Sequence, residues 1–179
     1  MHTTAIIALA GKPVHAGHFA LFEKAAREND KVLIFVSTLD RTENNVKVSG
    51  KKMLDIWSSY LTPALQKNVT PIFCNRSPIS EIYEFIGKAD PRLVSINIYG
   101  DPHDVEGNFP DKSLEKYANA LWLAKKIKRV SVPRTQTVMI SGSQMREYIK
   151  RGAKHDFINN LPQVLSNSAK NSIWEMLKT

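Results

Sequence analysis

The chain of 179 residues contains a single cysteine, Cys74. One thiol cannot close an internal disulfide, so the fold must stand on its core, and a reducing, cytoplasmic compartment is expected. There is no basic N-terminal region, and the first apolar run is too short for a signal peptide. No stretch approaches the roughly 20 apolar residues that span a bilayer, so no membrane role is expected. Repeats, low-complexity tracts and linkers are missing. So are zinc-finger spacing, an RNP-like motif and an Arg-rich arm, which argues against nucleic acid as a partner. Acidic residues are scarce in one half only. Residues 1–111 hold 12 Lys/Arg and 13 Asp/Glu, whereas residues 112–179 hold 13 and 4. The second half is therefore strongly basic, and a basic half attracts anions such as nucleotides or sugar phosphates.

What is present is the composition of a globular domain, with 42% hydrophobic and 23% charged residues. Ala5–Ala10, Lys31–Ser37, Val69–Cys74, Leu93–Tyr99 and Lys128–Val132 read as five strands. Their nearly continuous apolar character is that of strands buried on both faces. Pro71 places the third at a sheet edge. Between them, helical spacing predicts helices over Gly17 to about Asn29 and Gly50 to about Leu61. Two more start at Ser77-Pro78 and at Asp111, the latter read as an N-cap, and another runs from Ser141 to Gly152. Trp57, Tyr83 and Trp122 fall on apolar helix faces and are assigned to packing. Thr38–Val48 reads as a polar loop and Gly100–Asp104 as a turn-rich one. The tail, Asp156–Leu177, reads as one or two helices with a break near Pro162. Alternating strands and helices imply an α/β fold with a parallel sheet covered on both faces. Residues 1–179 are expected to form one domain, with about 153–179 as a C-terminal helical extension.

Ligands of such sheets bind beyond the carboxyl ends of the strands. Four segments follow strands and fall on that edge. The first is Pro13-Val14-His15-Ala16-Gly17-His18. At three-residue spacing both imidazoles can project the same way from the first turn of a helix, beside its free N–H groups and positive dipole end. The second is Ile140-Ser141-Gly142-Ser143-Gln144-Met145-Arg146. Ser141 with Gln144 is a capping box, but that leaves Gly142, Ser143 and Arg146 unexplained. Small residues let an anion approach the backbone, hydroxyls donate, and Arg146 can pair with phosphate oxygens. The loop with Arg41 and the turn with Asp101 complete the edge. Asp101 is either a ligand for a ribose or acceptor hydroxyl or a turn residue before Pro102.

His15-Ala16-Gly17-His18 and Ile140–Arg146 together resemble the HxGH and ISxTxxR motifs of the nucleotidyltransferase superfamily, which includes nicotinamide-mononucleotide adenylyltransferases, phosphopantetheine adenylyltransferases and cytidylyltransferases. The closing residues also look like small nucleotidyltransferase-like proteins of large phages, which would place the chain in a host cytoplasm. The resemblance implies a Rossmann-like sheet of order 3-2-1-4-5. It also implies transfer of a nucleotidyl group from an NTP to a phosphate-bearing acceptor, with release of pyrophosphate. His15, His18 and Arg146 would be catalytic. Ala10, Gly11, Lys12, Gly17, Ser141, Gly142 and Ser143 would bind the nucleotide, and Arg41 and Asp101 the acceptor. Mg²⁺ would enter on the NTP phosphates, without a direct protein ligand. ATP is favoured over CTP because the second motif ends like that of adenylyl-transferring members; a nicotinamide-mononucleotide-like acceptor is the first expectation, and a homo-oligomer is possible. A cytidylyltransferase and a non-catalytic nucleotide-binding protein are the alternatives. The family's first motif reads GxFxPxHxGH. Here Leu9 stands at its glycine and Gly11 at its phenylalanine, so Gly11 is expected to supply the missing flexibility. Ser143 replaces a threonine and keeps the hydroxyl. Lys47-Val48-Ser49-Gly50-Lys51 faintly echoes the lysine-rich loop of class I aminoacyl-tRNA synthetases, but it follows the second strand rather than the last.

Overall fold

A computed structural model describes residues 1–134 and 138–179. The five apolar runs form one parallel sheet. In chain order its strands are β1 (His2–Leu9), β2 (Lys31–Ser37), β5 (Val69–Cys74), β6 (Val94–Gly100) and β7 (Ile127–Ser131). Their spatial order is β5-β2-β1-β6-β7, which is 3-2-1-4-5 for the five parallel strands. β1 lies at the centre, and β5, with Pro71 opposite Ile34, is an edge.

Side chains alternate across the sheet, so each strand feeds two cores. Ala5, Ile7 and Leu9 of β1 join Val32, Ile34 and Val36 of β2 on one face, while Ile6, Leu33 and Phe35 point to the other. The first face is covered by α1 (Ala16–Glu28), α2 (Gly50–Ile56), α7 (Gly142–Arg151), α8 (Lys154–Asn159) and α9 (Asn167–Leu177). The second is covered by α3 (Pro78–Gly87), α4 (Pro102–Asn108), α5 (Asp111–Tyr117) and α6 (Asn119–Leu123). The C-terminal helices belong to the first core: Phe157 is fully buried and its ring lies 5.2 Å from that of Trp174. The chain breaks between α8 and α9, around Pro162. Among the described residues no helix is long and apolar enough to cross a membrane.

Several local readings are corrected or refined. Thr38–Val48 is not simply a loop. It holds a hairpin of β3 (Arg41–Glu43) and β4 (Val46–Val48). Asn44 and Asn45 turn it with φ of 54° and 63°, the pair of left-handed residues that a tight hairpin turn requires and that asparagine tolerates. The helix from Gly50 is α-helical only to Ile56. It widens over Trp57–Leu61, where the Thr62 N–H reaches the Trp57 carbonyl, and tightens into a 3₁₀ turn over Thr62–Ala64. Asp101, the residue after β6, is more than a turn residue, because it caps a helix: its Oδ1 accepts from the Asp104 N–H at 2.9 Å, with Pro102 in the first position of α4. Asp111 lies inside α5, because Pro110 holds the cap position and Arg129 of β7 claims the Asp111 carboxylate. The helix expected there is also split at Ala118. The Ser77 hydroxyl makes no capping bond to α3.

Candidate functional site

All four segments beyond the carboxyl ends of the strands meet in one cleft of about 490 Å³. Every residue singled out from the sequence lines it: Ala10, Gly11, Lys12, His15, Gly17, His18, Arg41, Asp101, Ser141, Gly142, Ser143 and Arg146. Nearby, Lys47 pairs with Asp40 at 3.3 Å, and Lys51 and Lys52 are exposed and do not line this cleft.

The cleft's floor is the turn out of β1. Leu9 is buried in the first core, and Gly11 adopts φ of 59°, which a residue with a Cβ rarely does. Lys12 follows, only 3% exposed. Its Nζ donates to the carbonyls of Ala10 (2.9 Å) and Ser37 (2.7 Å), tying the ends of β1 and β2 together. Burial lowers its pKa to about 8, an effect that Asp40 partly offsets.

His15 caps α1. Its Nδ1 accepts from the Gly17 N–H at 3.1 Å, while the His15 N–H donates to Nδ1 of His18, also at 3.1 Å. The two histidines therefore build a capping box, with rings stacked at 3.7 Å between centroids. Each Nδ1 is an acceptor, so each neutral ring carries its proton on Nε2. Both rings are held neutral. Burial, aided by Arg134 and Arg146, lowers the His15 pKa to about 4. Burial, then the neighbouring His15 and Arg134, holds that of His18 well below its ordinary value. Thus the pair offers two N–H donors. A Cβ on Gly17 would lie 3.0 Å from His15 Cε1 and 3.2 Å from the Val138 carbonyl oxygen, so a side chain there would press on the His15 ring.

The second motif starts α7, which packs in the first core with α1. Ser141 and Gln144 form the expected capping box: the Ser141 Oγ accepts from the Gln144 N–H at 3.1 Å, and Gln144 Oε1 accepts from the Ser141 N–H at 3.0 Å. Arg146, one turn on, is 6% exposed. Its Nη1 donates to the Lys12 carbonyl at 2.8 Å, so the two motifs are in direct contact. Its Nη2 donates to Glu43 Oε2 at 2.7 Å, and Arg41 Nε donates to the same oxygen at 3.0 Å. Arg41 and then Arg146 hold the Glu43 carboxyl below the usual carboxylate range.

Glu43 and Arg134 were not singled out from the sequence. Glu43 was hidden in a segment read as a loop. Arg134 lies just beyond the fifth strand, the position that drew attention to the other segments, so its placement was legible. It approaches Asp101 Oδ2 at 3.7 Å. Asp104 joins this group; burial and then the Asp101 charge raise its pKa. Among the described residues no group of three or more His, Cys, Asp or Glu side chains converges as metal ligands.

A second cavity, of about 480 Å³, adjoins the first and shares Ala8, Leu9, Ala10, Arg41, Gly100 and Asp104 with it. It runs towards the start of α3 at Ser77–Ile79 and is walled by Leu39, Val105 and Phe109. Trp57 is buried in the first core, and Tyr83 and Trp122 pack against the second, as their spacing predicts; the Tyr83 hydroxyl also donates to the Asn108 carbonyl at 2.8 Å.

No protein-family model matches this chain, and no curated protein does. Solved structures do. A candidate nicotinate-nucleotide adenylyltransferase of Vibrio parahaemolyticus is 15% identical, with a TM-score of 0.57 over 97% of this chain and 99% of that one. A bifunctional NMN adenylyltransferase/ADP ribose pyrophosphatase of Francisella tularensis is 15% identical, with a TM-score of 0.63 over 100% of this chain and 51% of that one. The NadR protein in complex with NR is also 15% identical, with a TM-score of 0.55 over 90% of this chain and 44% of that one. At this identity the likeness establishes the fold alone: the chain has the architecture that these three structures share.

Proposed function

We propose that the protein is a nucleotidyltransferase that moves an adenylyl group from ATP to a phosphate-bearing acceptor of the nicotinamide-mononucleotide type. The observation that carries this reading is the meeting of two helix starts in one cleft, one with stacked neutral histidines and the other with Gly142, Ser143 and a buried arginine. The fold shared with adenylyltransferases, including one that acts on NMN, supports the choice of nucleotide and acceptor.

In such a reaction an acceptor phosphate oxygen attacks the α-phosphorus. The bond from that phosphorus to the bridging oxygen of the β-phosphate breaks, and pyrophosphate leaves with the electron pair. No covalent intermediate on the protein is needed; its work is alignment and stabilisation of developing charge. The Nε2–H groups of His15 and His18 would donate to the α-phosphoryl oxygens. Being neutral, they cost no deprotonation and gain donor strength as charge accumulates. Ser143 and Arg146 would hold the β- and γ-phosphates. Lys12 keeps the ends of β1 and β2 together beneath them. Asp101 and the apolar-walled second cavity would receive the acceptor. Mg²⁺ would enter on the triphosphate, held by phosphate and water oxygens, and would supply charge neutralisation.

The test is pyrophosphate release over a panel of ATP, CTP, GTP and UTP, each with nicotinamide mononucleotide, nicotinate mononucleotide and other phosphorylated acceptors. Release with ATP and a mononucleotide is expected. Release with CTP alone would make the protein a cytidylyltransferase. Nucleotide binding with no release across the panel would make it a binding protein.

A further inference from the structure

We propose that Glu43 sets the affinity of the cleft by competing, within the chain, with the phosphate groups of a nucleotide for Arg41 and Arg146. This inference rests on the polyphosphate reading above and deepens it at these three residues. The basis is a convergence: two guanidinium groups, from residues 105 positions apart in the chain, donate to one oxygen of one carboxylate in a cleft lined with anion-binding groups. Carboxylate and phosphate oxygens are alternative acceptors for the same guanidinium fork. A phosphate on those donors and Glu43 on those donors exclude each other.

The hairpin register explains why Glu43 points into the cleft. Arg41 lies opposite Val48, and Glu43 opposite Val46. Opposed residues of an antiparallel pair share a face. Val46 and Val48 are each 1% exposed in the first core, so the face they define is the inward one, and Arg41 and Glu43 must share it. The hairpin is pinned at its base, where Asp40 Oδ1 accepts from the Gly50 N–H at 2.8 Å. The pinned frame leaves the Glu43 side chain free to change partners by rotation.

Burial is asymmetric, and this makes the exchange work. The Arg146 side chain is 7% exposed and that of Glu43 is 41% exposed. A buried guanidinium without an anion is costly, so Arg146 needs a partner at every stage. Glu43, half in water, can be rehydrated when displaced. It therefore serves as a resident counter-ion that a stronger, polyvalent anion replaces. If the contact is formed about ten times more often than not, apparent phosphate affinity is reduced about tenfold.

Calorimetric titration with inorganic tripolyphosphate, without divalent metal, and with adenosine as a phosphate-free control tests this. Wild type, Glu43→Gln and Glu43→Asp are compared, each first checked for a cooperative melt. Glu43→Gln is expected to bind tripolyphosphate about tenfold tighter, with adenosine binding unchanged. Glu43→Asp keeps the charge but shortens the reach, so it should tighten binding as well, and it alone decides the matter if the Gln variant fails to fold. Equal or weaker binding in both variants overturns the proposal and leaves the polyphosphate reading standing. Tightening in the Gln variant alone is a net-charge effect and also overturns it. Failure of wild type and both variants to bind tripolyphosphate removes the polyphosphate reading itself and this inference with it.

Discussion

Replacing Arg146 by alanine tests the site most directly, because this residue has both a structural and a chemical task. Its Nη1 satisfies the Lys12 carbonyl at 2.8 Å. Once the side chain is gone, that carbonyl faces the space the guanidinium filled, and an unsatisfied buried acceptor costs about 1–3 kcal/mol. For a chain of this length each kcal/mol lowers the melting temperature by about 2–4 °C. A fall of about 2–12 °C is therefore expected, and the fold survives. The chemical loss is larger. Loss of one well-placed donor to a developing phosphoryl charge costs about 10²–10³ in rate. Arg146→Ala should lower kcat/KM for pyrophosphate release by at least that factor while the melt stays cooperative. Arg146→Lys restores the charge but not the fork, and one ammonium is poorly shaped to span the Lys12 carbonyl and a phosphate at once. It should recover stability more than turnover. The assay is continuous pyrophosphate release beside a thermal melt. Near-normal turnover in Arg146→Ala would refute the assignment, and a loss of turnover fully explained by unfolding would refute the separation of the two tasks.

Three further outcomes follow from the same geometry. His15 has a folded pKa of about 4 against 6.5 when free, so the unfolded chain binds more protons between those values. Its contribution is complete above pH 6.5 and is lost as pH falls towards 4, by up to about 3 kcal/mol, with His18 acting in the same direction. Urea midpoints measured across this window should fall in the wild type and fall less in His15→Gln; parallel slopes would contradict the buried neutral ring. Gly17→Ala places a methyl 3.0 Å from the His15 ring, so turnover should drop about tenfold or more through displacement of the stack, while helix propensity gains about 1 kcal/mol; equal kcat would show that the stack tolerates the shift. Phe157→Ala empties a fully buried site in the C-terminal helices and should cost about 3–5 kcal/mol in chemical denaturation; a change under about 1 kcal/mol would mean that α8 is not part of the core.

The sheet was legible because its central strands are buried on both faces, which writes them as unbroken apolar runs such as Val32–Val36. Pro71 marked the edge because it can supply no ladder donor. The histidine and serine motifs were legible because they follow strands, and in this topology that places them on one edge. The hairpin was not. Each of its strands has three residues, and its outer face is polar, so Arg41–Val48 carries too little alternation to stand out from a loop. The cue that was available, two adjacent asparagines able to take positive φ, acquires meaning only once Val46 and Val48 are known to be buried. Missing the hairpin meant missing Glu43, whose role depends on which way the face turns. Lys12 shows another limit. Its position beside the cleft was read correctly, but the carbonyl it shares, Ser37, comes from a strand 25 residues away.

The segment that departs most from the family pattern is also the one that joins the two halves of the site, and the form of the joint explains why the departure is tolerated. Leu9 packs into the first core, and Gly11, two residues later, provides the left-handed turn. The position of the flexible residue has moved, but the turn itself is made. What Arg146 then docks on is the carbonyl of Lys12, and what His15 and His18 grip is the backbone N–H of Gly17 and of His15 itself. Even the first N–H of α1 is taken by a backbone group, the Asn160 carbonyl beyond α8, at 2.8 Å. These contacts specify the path of the chain rather than the identity of its side chains. A site assembled on main-chain groups can drift in sequence while its donors stay in register, which fits a chain that shares its architecture with solved structures at 15% identity.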